Sequence, residues 1–276
     1  MVSALRTDEP EPYDEEKHSS MAKQPAVSDA TLIKALAVYA GMVRQVLDNP
    51  QRWLGSDDEP PAGASLPARA LDAVKDGALG ETTPGSPQWA QQPLSERVDW
   101  WVGRIGLVGG LAAAAPRFAG ALADRFPLQA ALGAAAAGLA VCAVAREHGR
   151  TTAAEWVPLL ARVLFNRDLA PQAAPVPTPE ESEDQLEGAA NDTREPPSQM
   201  AALGQGAQRA VRTLWRLART FLNVDDLLDE RPRGGFFARA LATLPVVGLA
   251  GGWLDERGAI RKAAQETREH LATNSA

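Results

Sequence analysis

Residues 100–116, WWVGRIGLVGGLAAAAP, crowd Gly103, Gly106, Gly109 and Gly110 behind an apolar start. Glycines so placed can bring backbone N–H groups onto a phosphate. A dinucleotide fingerprint needs a G-x-G pair behind a strand, however, and a P-loop needs Lys followed by Ser or Thr. Neither pattern is present. Steps of three and four instead put Gly103, Gly106, Gly110 and Ala113/Ala114 on one helical face, where small residues let a neighbouring helix come close. The device recurs at Gly133 with Ala137 and at Gly248 with Gly252. These six glycines are therefore read as helix-packing positions and not as a phosphate site.

Acid–base and metal chemistry find little support. His18 lies in a charged tail, His270 near the C-terminal end, and His148 at the end of an apolar run. At a helix C-terminus the macrodipole alone favours an imidazolium. Cys142 sits among apolar residues, where a thiol is inert. Arg146-Glu147-His148 has no nucleophile beside it, and the acids Asp225, Asp226, Asp229 and Glu230 lack the spacing of a calcium loop. No catalytic residue, metal or cofactor is expected.

One constellation does point to binding. Arg209, Arg212, Arg216 and Arg219 follow one another at steps of three, four and three. At helical pitch they share a sector of about 80°. Val211, Leu214, Trp215, Ala218, Phe221 and Leu222 spread over the rest as an apolar face, Trp215 being counted with the arginines as a candidate surface contact. A basic amphipathic helix of this kind suits an anionic membrane surface or an acidic partner. The competing reading is a helix packed by its apolar face, with its arginines solvated or paired to acids elsewhere in the chain.

The elements that must position these residues are helical. Of 276 residues, 45% are hydrophobic but only 5% aromatic. Alanine dominates, and no clean alternating run of strand length occurs. The fold class expected is all-α, a helical bundle with Gly/Ala-rich core helices and disordered acidic segments. Residues 1–25 read as a disordered acidic tail, 26–54 as an N-terminal helix capped near Ser28, and 55–95 as a linker with a short helix. A Gly/Ala-rich helical core follows over 96–169. Residues 170–200 read as a disordered acidic insertion, and 201–276 as C-terminal helices completing the same domain. The longest apolar run, Leu128–Ala145, is 18 residues of mostly Ala and Gly, which supply little transfer energy to lipid. It reads as part of a buried core hairpin and not as a membrane span. Trp100-Trp101 is the feature that favours a membrane interface.

The net charge of −7 conceals a division. Residues 171–200 hold seven acids against one Arg, while 101–170 hold seven Arg against four acids. A body at +3 can meet an anionic surface but is too weakly basic for nucleic acid. Arg far outnumbers Lys, a bias expected of a high-GC bacterial genome. The single cysteine excludes an intrachain disulfide and fits a reducing compartment. The acidic N-terminus does not read as a secretion signal.

Residues GRIGLVGGLAAAAPRFAGALADRFPLQAALGAAAAGLAVCAVAREHGRTTAAEWVPLLARVLF, and later ATLPVVGLAGGWLDERGAIRKAAQETREHL, together resemble the EcsC family of bacterial proteins. The shared features are a Gly-rich helix, a Pro-containing turn and an apolar helix ending in Ala143-Val144-Ala145-Arg146-Glu147-His148-Gly149. A closing Leu244-Pro245-Val246-Val247-Gly248 turn then leads into a helix carrying Ala263 and Ala264. The resemblance implies an α-helical protein linked to a bacterial ABC transporter system, with no established catalytic residue to carry over. The expectation is a non-catalytic, cytoplasmic protein, peripheral on the inner membrane, serving a transport or stress system. Its partner would be an anionic membrane surface or a membrane-protein complex. The alternative is a soluble scaffold that recruits a partner through its acidic insertion.

Overall fold

A computed structural model describes residues 28–54, 82–114, 125–169, 176–188, 205–222 and 252–273. Among them are eight α-helices and no strand: α1 (Asp29–Asp48), α2 (Pro50–Leu54), α3 (Leu94–Ala114), α4 (Arg125–Glu147), α5 (Ala153–Phe165), α6 (Pro179–Gly188), α7 (Gln205–Leu222) and α8 (Gly252–Thr273). The protein is an all-α helical bundle.

Local chemistry sets several helix ends. The Ser28 side chain accepts the Thr31 N–H at the start of α1. Thr152 and Glu155 form a reciprocal capping box at α5, each side chain bonding the other's backbone N–H. Asn166 ends α5 with φ +50°, and Gly149 follows α4 with φ +84°, a conformation that costs glycine nothing. Pro127 falls within the first turn of α4, where its missing N–H is harmless. The helix accordingly starts at Arg125.

Among the described helices, α4 is the central one. It packs on α1, α3, α5, α7 and α8, and these five adjoin one another in a closed ring, α8–α3–α7–α1–α5 and back to α8. From Ala131 to Ala145 every residue of α4 is buried except half-buried Gly133. Uniform apolarity is what a helix needs when every side of it faces another helix. Close approach replaces bulk at its contacts. A β-carbon on Gly138 would lie 2.8 Å from the Tyr39 hydroxyl of α1, and one on Gly109 of α3 would touch Ala136 and Ile260, both at 3.5 Å. Among the described residues one helix, Asp29–Asp48, is long and apolar enough to cross a membrane, and it is mostly buried inside the fold.

Two expectations need correction. Trp100 and Trp101 do not mark an interface, being 6% and 1% exposed. Trp100 meets Trp89 and Trp101 edge-on, at 5.4 and 5.0 Å between centroids. The acidic insertion is also not disordered throughout, because residues 176–188 form α6 and its N-terminal approach. Thr178 and Glu181 cap that helix reciprocally. Gln45 Nε2 donates to the Pro179 carbonyl at 3.2 Å, Arg52 pairs with Glu183 at 2.6 Å, and Leu186 is fully buried. Burying one Leu is worth about 1.5–3 kcal/mol, more than the exposed ion pair at about 0–1 kcal/mol, so Leu186 is the principal anchor. The short helix expected over 67–78, the acids at 225–230 and the Leu244–Gly248 turn lie outside the described residues.

Candidate functional site

Helix α7 carries the arginine constellation, and its apolar face decides how those arginines are presented. Ala210, Val211, Leu214, Leu217, Ala218 and Phe221 are all buried. Three polar or aromatic contacts hold the helix in register. The Thr213 hydroxyl donates to the Trp53 carbonyl at 2.9 Å, the Thr220 hydroxyl donates to Met42 Sδ at 3.4 Å, and the Phe221 ring lies 4.7 Å from that of Tyr39. Among the described side chains, the apolar side of α7 is thus turned into the fold, apart from half-buried Trp215. This removes the version of the membrane reading in which α7 lies in the bilayer interface on its apolar side.

What stays at the surface is the polar stripe. Arg212 is exposed, while Arg209, Arg216 and Arg219 are half-buried, with their stems on the bundle. Trp215 is half-buried, and its indole nitrogen has no hydrogen-bond partner among the described residues. From Arg209 to Arg219 the stripe spans about 15 Å of helix axis. The four share one face of a rigid helix: Arg209, Arg216 and Arg219 already take part in interactions within the chain, and Arg212 is the exposed member.

Beside the stripe, Arg104 shows how the bundle uses a buried cation. It is 5% exposed and donates from Nη2 to the Leu54 carbonyl at 2.6 Å. With Thr213 on Trp53, it satisfies the last carbonyls of α2. This pairing joins α2, α3 and α7 and escaped the sequence reading, since nothing local links Leu54 to Arg104.

The residues considered for catalysis are placed structurally. Glu147 accepts the Trp101 indole N–H at 2.9 Å and pairs with Arg97 at 2.8 Å, its own side chain 6% exposed. Arg146 pairs instead with Asp48 of α1. His148 Nδ1 donates to the Val144 carbonyl at 2.8 Å, closing the end of its own helix. Burial pushes the Cys142 thiol well above its ordinary range, so it is held as a neutral thiol. Burial, and then the neighbouring Cys142, pushes the Tyr39 hydroxyl up as well, and that hydroxyl donates to the Ala135 carbonyl at 2.6 Å. Among the described residues no three His, Cys, Asp or Glu side chains gather as a metal site.

The expected packing glycines divide. Gly106 and Gly110 are buried and Gly133 is half-buried. Gly103 is exposed and is not a packing position, because the face of α3 that meets the bundle turns away from it. Gly252 opens α8, and Gly248 lies outside the described residues. Among the described residues, Gly138 and Gly41, which spacing did not single out, stand in close contact, a β-carbon on either lying under 3 Å from a neighbouring side chain. In a run as rich in Ala and Gly as 128–145, small-residue spacing is satisfied on every face and selects none.

Comparison with protein-family models, with curated proteins and with solved structures gave no match.

Proposed function

We propose that this chain is a non-catalytic, EcsC-like helical protein acting as a peripheral accessory or regulatory factor at the cytoplasmic face of a bacterial inner membrane, for a transport or stress system. The observation that carries the reading is the arginine stripe of α7, held at the surface by a helix whose other side is locked into the core. Attachment then rests on charge, with headgroup or acidic protein oxygens meeting Arg209, Arg212, Arg216 and Arg219. The EcsC resemblance of the Gly-rich helices supplies the link to a transport system.

Co-sedimentation with vesicles tests this. Binding is expected to phosphatidylglycerol-rich vesicles and not to phosphatidylcholine, and to fade as salt rises towards roughly 0.5 M, since screening shortens the reach of exposed charges. Replacing all four arginines with Gln should abolish it. A parent protein that ignores anionic vesicles would sink the membrane reading.

A second reading, a scaffold that recruits a partner through the acidic insertion, is supported by Glu180, Glu181 and Asp184, which stand exposed on α6. Neutralising these three acids leaves vesicle binding intact under the first reading and abolishes partner capture under the second.

A further inference from the structure

The groove beneath α6 has a specific shape, independent of the α7 arginines. Its floor is Gly41 of α1, where a β-carbon would stand 2.7 Å from Ser182 Oγ and 3.5 Å from Pro177 Cδ. Only a small residue fits opposite that floor. One turn further along α6, Leu186 enters the core completely. The rim is polar: Gln45 donates to the Pro179 carbonyl, and Arg52, whose guanidinium lies 4.7 Å over the Trp53 ring, pairs with Glu183. Together these contacts read a helix with a small residue, an acid directly after it, and a leucine four positions on.

The resident helix fits this site imperfectly. Ser182 is 1% exposed, and its hydroxyl has no hydrogen-bond partner among the described residues. A buried, unsatisfied hydroxyl is unfavourable where a methyl group would pack without cost. The helix has ten residues, PEESEDQLEG, all its charges negative, too short and too self-repelling to persist alone in water. Its order comes from the groove, so the groove has affinity for this pattern while its present occupant falls short of the best match.

We propose that the groove over Gly41, with Gln45 and Arg52 on its rim, is an exchangeable docking site for an acidic amphipathic helix of a partner protein, and that α6 is its resident placeholder. The partner helix carries Ala or Gly at the place of Ser182, an acid at that of Glu183 and Leu at that of Leu186. Charge complementarity with Arg52 fixes its orientation, and the depth of the Leu186 socket fixes its register.

The test uses the full chain and two labelled peptides, residues 176–188 as they stand and the same segment with Ser182→Ala, in fluorescence anisotropy titrations. In the Leu186→Asp chain, hydrogen exchange should show α6 released, and that chain should bind the Ser182→Ala peptide at least tenfold more tightly than the parent chain does. The native-sequence peptide should bind several-fold more weakly than its Ala form, and Arg52→Glu in the chain should weaken both. Should Leu186→Asp impair folding, Glu183→Arg provides a second route to releasing α6, with circular dichroism confirming the bundle. Failure of either released chain to bind the peptides overturns the proposal, as does equal binding of a peptide that itself carries Leu186→Asp. Concentration-dependent dimerisation of the parent chain through exchanged α6 helices would assign the groove to a second copy and overturn the choice of partner.

Discussion

The hydroxyl oxygen of Tyr39 stands 2.8 Å from the point a β-carbon on Gly138 would occupy, with Cε1 and Cζ of the same ring at 2.9 and 3.0 Å. Tyr39 is fully buried and bonded to the Ala135 carbonyl, so the ring has no free direction of retreat. Helix α1 therefore meets the central helix at a site where hydrogen is the only side chain that fits.

Gly138→Ala should destabilise the fold by about 1–3 kcal/mol, because overpacking outweighs the better helix propensity of Ala. Gly103→Ala, on the exposed side of α3, should instead stabilise by about 0.4–1 kcal/mol through the unfolded chain. Urea denaturation of the two variants checks both signs. Equal effects would mean that the Tyr39 contact is not tight.

Glu147 gathers two partners from α3, the Trp101 indole and the Arg97 guanidinium. Glu147→Ala leaves an N–H and a cation without their acceptor and should cost about 2–3 kcal/mol. Glu147→Gln keeps an acceptor for Trp101 and should cost less. Thermal melts followed by tryptophan fluorescence distinguish them, and identical losses would show that the carboxylate charge alone matters.

Acid should loosen α5 at its start. Burial pushes the Glu155 carboxyl upwards, but hydrogen bonds from the Thr152 side chain and backbone, with Arg150 beside them, outweigh it and lower the value. A lowered carboxylate contributes stability above its unfolded range and loses it as pH falls through the folded value. Thr152→Ala should cost about 1 kcal/mol at neutral pH. Its deficit should shrink on acidification, once Glu155 is protonated in both proteins. Denaturation midpoints measured from pH 7 to pH 3 check this, and a constant deficit would refute it.

Cys142 should resist thiol reagents in the native protein, since it is buried at the centre and held neutral. Labelling should follow global unfolding and accelerate with denaturant. Rapid labelling in buffer would contradict the enclosure of α4.

The capping signal at Ser28 was legible in sequence because it acts within a turn of its own position. The all-α class was legible too, from alanine abundance and the lack of alternation. Helix α6 was not, since its composition is that of a disordered segment and its order depends on Gly41 and Arg52, more than 130 positions away for the Arg52–Glu183 pair. The arginine stripe was visible as a helical sector. Whether its apolar side met lipid or protein depended on Trp53, Met42 and Tyr39, distant partners that no local pattern names.

The closed ring around α4 also dictates an order of events during synthesis. Met42 meets Thr220 across 178 positions and Trp53 meets Thr213 across 160, while α8 closes the ring from the far end of the chain. Closing such long loops is slow and is rewarded only at the end. An alanine-rich central helix leaving the ribosome has no complete shelter until residues 252–273 follow it. Chains shortened before α8 should accordingly aggregate.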